Sequence, residues 1–265
     1  MRKKSLKTCF YISVFMLMPL IFFSATFSLA ASEPLSSARI ISNAYTSVEI
    51  DRETYIIQKL KSYFSPDKVD PAFRSYVTNE TTREVTTLLD EAVKYYDSFS
   101  DDSKVYLSIL LKRPDDTTYD WPWDANPDFY LPSPVSTFEP AVADYPTIGG
   151  KFKFWYVTHA TADGAGHTHT TTLDFVKKMA SSFETVYKAE ITTLGYAAPP
   201  NDPGGAAYGT DTKFDVYVMN CGFGSVYGYV SREGVDTGNS YYSFMVMDND
   251  FTEFVTATIT ADKAM

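Results

Sequence analysis

Cysteine is scarce in this sequence: Cys9 and Cys221 are its only two. Cys9 sits in an apolar N-terminal run, so a chain that has shed that run keeps Cys221 alone and can form no internal disulfide. A lone thiol serves as a nucleophile only beside a histidine and an orienting partner. Without a spacing that supplies them, Cys221 is expected to be a small buried residue beside a turn. Histidine is as sparse, with three in the chain. No Gly-x-Ser-x-Gly elbow, no phosphate-binding P-loop and no His-Glu-x-x-His zinc pair occurs. Positive charge is also short, 23 Lys+Arg against 33 Asp+Glu.

One long hydrophobic run is present. Arg2, Lys3, Lys4 and Lys7 precede the stretch from Cys9 to Phe23, and Ser28-Leu29-Ala30 precedes Ala31. Basic, apolar and small-residue regions in that order form a secretory signal peptide, residues 1–30. Pro19 and the polar Ser24, Thr26 and Ser28 leave an uncleaved anchor, which wants about 20 apolar residues, as the alternative. Cleavage after Ala30 leaves 235 residues with 19 Lys+Arg against 33 Asp+Glu, a net charge of −14. The expected location is secreted or periplasmic. Such an acidic surface repels nucleic-acid phosphates and anionic membranes. The expected partners therefore exclude nucleic acid, and exclude membrane once the signal is cleaved, and leave a protein or peptide. A chain of this length, with 16% aromatic residues, can bury a sizeable core in one or two domains.

Residues 31–113 carry helical periodicity. Asp51 is placed to cap a helix whose apolar side is Ile56, Ile57, Leu60, Tyr63 and Phe64. Asp70-Pro71 has the form of a second cap. Thr81 and Glu84 form a capping-box pair ahead of Val85, Leu88, Leu89, Ala92, Val93 and Tyr96, and Ser100 caps a further helix through Leu111 that Pro114 ends. Asn79-Glu80-Thr81 fits a glycosylation sequon. Residues 114–150 form a linker. Seven prolines from Pro114 to Pro146 deny the backbone the donors that a helix or central strand needs. Trp121, Trp123, Phe129 and Tyr130 within it imply a strip lying on a neighbouring domain or docking a ligand.

From residue 151 the pattern becomes mixed. Phe152, Phe154 and Tyr156 alternate as in a strand; Leu173 to Leu194 has one apolar helical side ended by Gly195. Phe214, Val216 and Val218 alternate with Asp215, Tyr217 and Met219, which predicts a strand with one buried face. Tyr241 to Met247 is apolar or aromatic at every position but Ser243 and predicts a strand inside a sheet. The glycine-rich stretch between them predicts loop. The order strand, helix, strand, strand defines an α+β domain over residues 151–265.

Two groups of side chains have ligand chemistry. His167 and His169 would share a face if extended, but a tetrahedral site wants three or four protein ligands, so exposed loop histidines are the competing reading. Asp248-Asn249-Asp250 offers the hard oxygens that calcium prefers. It lacks the EF-hand glycine and closing glutamate, and Asx side chains at such a place more commonly bond the nearby backbone.

The ordered set Glu49-Ile50-Asp51-Arg52-Glu53-Thr54, Phe152 to Tyr156, Leu194-Gly195-Tyr196 with Pro199-Pro200, Asp215-Val216-Tyr217-Val218, Tyr227-Gly228-Tyr229 and Asp248-Asn249-Asp250-Phe251 resembles a family of secreted bacterial zinc metallopeptidases. The resemblance covers most of the chain after residue 30. It departs at Thr171-Thr172-Leu173-Asp174-Phe175-Val176, where the family has Gly-x-Pro-Asp-Tyr-Val. It implies that a helix bearing His-Glu-x-x-His, two zinc ligands and a water-activating glutamate, comes soon after Asp-Asn-Asp-Phe. Here the residues run out at Ala261 to Met265. The expectation is therefore a truncated, incomplete metallopeptidase-like half domain with no catalytic residue and no cofactor of its own, zinc belonging to a full-length relative. A non-enzymatic extracellular binding module on the same scaffold is the alternative. Truncation would also leave Phe244, Val246 and Phe251 partly open to water.

Overall fold

The computed structural model describes residues 34–80, 82, 84–114, 139–140, 151–156, 168–202, 212–235 and 241–254. The expected signal sequence (residues 1–30), His159, His167 and the expected linker (residues 114–150), apart from Pro114, Glu139 and Pro140, lie outside the described residues. Among the described residues no helix is long and apolar enough to cross a membrane.

Four helices come first, and two of the three that follow α1 are capped as the side chains predict. α1 (Ser37–Thr46) starts where the Ser36 hydroxyl accepts from Arg39 N. α2 (Arg52–Phe64) is capped by Asp51, whose Oδ1 accepts from Thr54 N at 2.8 Å. α4 (Asp101–Leu110) is capped by Ser100, with Asp101 and Asp102 in its first turn where the helix dipole favours negative charge. α3 (Val85–Tyr95) differs: Glu84 stands at its cap position in helical backbone with no side-chain cap bond. Its carboxylate takes Lys59 Nζ at 2.7 Å and the Tyr63 hydroxyl instead. Lys59 is buried, and a buried ammonium needs a counter-charge more than an exposed helix start needs a cap. The Asp70-Pro71 pair also begins no helix; Asp70 Oδ1 accepts from Ala72 N at 2.9 Å and closes a turn. The Asn79 carboxamide is engaged at both ends, accepting from Ala38 N at 3.2 Å and donating to Ser62 O at 2.6 Å, so its nitrogen is occupied by the fold.

The strands are β1 (Glu139–Pro140), β2 (Phe152–Tyr156), β3 (Phe214–Val218), β4 (Gly228–Val235) and β5 (Tyr241–Met247), in the sheet order β1-β2-β3-β5-β4. β2, β3 and β5 are parallel; β4 and the two-residue β1 run antiparallel at the edges. The mixed α+β class therefore holds. β5 is interior, as its largely apolar and aromatic run predicts. Two expectations fail. β4 forms inside the glycine-rich stretch expected to be loop, because pairing with β5 over seven registered positions supplies the ladder that local propensity does not. β3 is buried at all five residues rather than on one face.

Both faces of β3 are covered because helices pack on both. α2, α3 and α4 lay Ile56, Leu60, Phe64, Leu88, Leu89, Leu107 and Leu110 against Tyr217, Tyr229, Phe244 and Val246. α5 (Leu173–Tyr187), capped by Thr172 and continued by a π-helical turn over Lys188–Thr193, lays Val176, Met179 and Ala180 against Phe154, Tyr156, Val216 and Val218. Each fully buried leucine contributes about 1.5–3 kcal/mol. Gly195, at φ 74°, follows the helix as predicted. Phe244, Val246 and Phe251, expected to lie open, are buried: the first two face the helical layer, and Phe251 packs in the α5 layer beside Phe175, Tyr227 and Phe254.

Candidate functional site

The parallel strands β3 and β5 end side by side, and the loops that leave them cross. In α/β sheets this carboxyl end is where ligands and chemistry collect. The loop after β3 runs Met219-Asn220-Cys221-Gly222; the loop after β5 runs Asp248-Asn249-Asp250-Phe251. Two of the side chains singled out for ligand chemistry grip the first loop at consecutive amides. His169 Nδ1 accepts from Asn220 N at 3.1 Å, and Asp248 Oδ1 accepts from Cys221 N at 2.9 Å and Gly222 N at 2.6 Å. Asp248 Oδ2 takes Phe251 N at 2.7 Å and Asp250 N at 3.3 Å. Thr171 and Asn249 tie the segment before α5 to the same crossing, Thr171 Oγ1 donating to Asn249 O at 2.6 Å and Asn249 Nδ2 to Thr170 O at 2.8 Å.

Local chemistry explains the crossing. Asp248 is fully buried, so its oxygens must find donors, and four amides supply them. Phe251 sits at φ 56°, an uncommon conformation for a bulky residue, held by its own N–H on Asp248 and by its buried ring. A Cβ at Gly222 would stand 2.5 Å from Glu253 Oε2 and 3.0 Å from Asp248 Oδ1, so the exposed Glu253 carboxylate would have to swing away. Asp250 Oδ1 accepts from Thr252 N at 2.8 Å and opens the short 3₁₀ turn Thr252–Phe254.

Ligand atoms of Asp248, Asp250 and Glu253 lie within 4.8 Å of one another. Burial, with Glu253 adding to it, pushes the Asp248 carboxyl up to about 6, against the pull of its amide donors. Calcium wants six to eight oxygens. Each carboxylate oxygen has about two lone-pair sites, and those of Asp248 already serve four N–H groups. The acids with capacity left are Asp250 and Glu253. Asp248 fits the part of a loop anchor, and a calcium ion would have to break the crossing to reach it. Zinc fits no better. Among the described residues no histidine or cysteine joins a trio at ligand distance, and the His169 nitrogen that accepts from Asn220 leaves the neutral ring protonated at Nε2. Cys221 is buried, its Sγ 3.2 Å from Val226 O, and burial pushes its thiol well up, so it is no thiolate nucleophile. His167 lies outside the described residues.

A second polar centre was not foreseen. Arg113, three residues past α4, is buried. Its Nε and Nη2 meet both oxygens of Glu233 on β4, its Nη1 meets Asp215 on β3, and Nη2 reaches Asp202 Oδ2 at 2.6 Å. Trp155 on β2 donates its indole N–H to Asp215 Oδ1 at 2.7 Å. These partners stand 89 to 120 residues from Arg113, so no spacing could disclose them; the one hint is an aspartate, Asp215, between Phe214 and Val216 in an apolar run.

No protein-family model, curated protein or solved structure matches this chain.

Proposed function

We propose that this chain is an exported, non-catalytic protein built on the scaffold of the secreted zinc metallopeptidases it resembles, and that residues 151–254 are the sheet-bearing part of that scaffold. The observation that carries the reading is the state of Asp248. In the Asp248-Asn249-Asp250-Phe251 segment, one of the pieces that carry the resemblance, Asp248 spends its acceptor capacity on four amides and turns the chain out of β5. It organises backbone, and among the described residues it leaves only Asp250 and Glu253 of the acidic trio with ligand capacity. Export follows from the basic, apolar and small-residue order of residues 1–30.

The test uses the mature protein, recovered from the medium or periplasm and checked by mass spectrometry for a start at Ala31. It is loaded with zinc, desalted, and assayed for metal content and for hydrolysis of an unfolded protein substrate, with and without chelator. The expected result is no retained zinc and no chelator-sensitive hydrolysis. Chelator-sensitive hydrolysis would overturn the proposal.

One observation favours an extracellular binding module on the same scaffold. A groove beside the β4–β5 edge is lined by Thr86, Asp90, Val230, Arg232, Tyr241 and Ser243. In it the Arg232 guanidinium lies 3.7 Å over the Tyr241 ring and pairs with Asp90. A planar cation held on an aromatic suits carboxylate recognition.

A further inference from the structure

The apolar side of α5 outruns its cover. Its buried residues are Val176, Met179 and Ala180, all in the first half, and none from Ser181 to Tyr196 is buried. Yet Phe183, Val186, Tyr187, Ile191 and Leu194 keep the spacing of an apolar stripe through that second half. Phe183, Val186, Tyr187 and Ile191 line a groove of about 250 Å³, with Phe152, Phe214 and Met245 of β2, β3 and β5 across from them. The wall is already assembled: Phe152 meets the rings of Phe183, Tyr187 and Phe214 edge to face, at 5.2, 5.9 and 6.0 Å between centroids, an arrangement that aromatic pairs prefer. The π-helical turn after α5 adds Glu190 and Ile191 to the lining, and such turns are frequent at functional sites.

A narrower hollow shares Phe152, Tyr187, Pro199 and Phe214 with the groove and is lined beyond them by Lys151. Among the described residues no acid pairs with the half-buried Lys151. Val186, Leu194 and Tyr196 beside the groove are 52%, 62% and 62% exposed. Together they offer roughly a few hundred Å², short of the ~800 Å² a side that a stable protein interface buries. That area suits a small ligand, not a second copy of the chain.

We propose that this groove binds a free fatty acid, with the carboxylate at Lys151 and the alkyl chain along the second half of α5. The volume suits one alkyl chain, since pockets for drug-sized ligands run to about 300–1,000 Å³. Each methylene taken from water contributes about 0.8 kcal/mol. The unpaired lysine sets the head group, because a compact ammonium attracts an oxyanion as a point charge. Glu190 lines the groove but not the hollow, so it stands beside the chain and away from the carboxylate.

Calorimetric titration of the purified, delipidated protein with decanoate and with decanol tests this, at about pH 8, where a carboxylic acid is ionised. Decanoate is expected to saturate a site on the wild type. In Lys151→Met, which keeps an apolar stem without the charge, decanoate weakens roughly two- to fivefold while decanol is unchanged. In Val186→Glu, a change at a position 52% exposed, both ligands weaken roughly fivefold or more. Absence of saturable decanoate binding by the wild type would overturn the proposal whatever the variants do. Decanoate affinity left intact by either variant, or a loss in Lys151→Met that decanol shares equally, would do the same. A dimer that Val186→Glu dissociates would overturn it in favour of a second copy in the groove.

Discussion

Replacing Asp248 by asparagine separates an anchoring carboxylate from a metal ligand. The side chain keeps one acceptor oxygen and turns the other into an NH₂ group that faces amide donors. One pair of contacts is lost, either the Cys221 and Gly222 amides or the Asp250 and Phe251 amides. Stranding two buried donors costs about 2–6 kcal/mol. Opposing this, the wild-type carboxylate is costly to bury. Its pKa lies at about 6 in the folded protein against an ordinary 3.8, a difference worth about 3 kcal/mol. The sign follows from which state holds the proton. The folded state keeps it up to about pH 6 and the unfolded chain releases it near 3.8, so Asp248 favours folding increasingly as pH falls through that window and loses the contribution as pH rises through it.

The variant has no such titration. Its deficit relative to wild type is therefore expected to widen by about 2.5 kcal/mol between about pH 8 and about pH 4. Urea unfolding followed by circular dichroism at both pH values measures it, and differences between the two proteins cancel the other carboxyls. A gap that stays constant with pH would refute the burial argument. Millimolar calcium is expected to leave the wild-type midpoint unchanged; a calcium-dependent rise that the variant lacks would return Asp248 to the ligands.

Arg113→Ala leaves its carboxylates buried without their guanidinium and is expected to cost about 3–5 kcal/mol, a Tm loss of roughly 6–20 °C by thermal melt. Arg113→Lys keeps the charge but not the fork that spans Glu233 and both aspartates, and is expected to remain clearly destabilised; a lysine variant as stable as wild type would count against the geometry. Gly224→Ala puts a Cβ 2.2 Å from the Tyr63 carbonyl oxygen, a backbone atom on α2 that cannot swing aside, with an expected loss of about 1–3 kcal/mol in urea midpoint analysis. Gly195→Ala, where a Cβ meets nothing but φ is 74°, should cost only about 1 kcal/mol.

What could be read along the chain follows the range of the forces involved. The caps of α2 and α4 lie three residues from the amides they bond, so Asp51 and Ser100 announce them. The apolar run Tyr241 to Met247 announces an interior strand because both of its faces are covered. Glu84 departs from the capping-box pattern because a buried lysine 25 positions earlier claims its carboxylate. β4 was missed because Gly228 and Gly234 are poor strand formers alone, and the partner that orders them is β5.

The same division holds for the polar centres. Side-chain chemistry within the chain marked Asp248 and Asp250 as oxygen donors and His169 as an imidazole worth locating, and it set the acidic balance and the α+β class. Packing alone decided that Asp248 and His169 bind consecutive backbone amides, and that Arg113 meets acids up to 120 residues away. Local propensity and charge act through neighbours in sequence; the demand that every buried charge find a partner acts through neighbours in space, and only the fold specifies those.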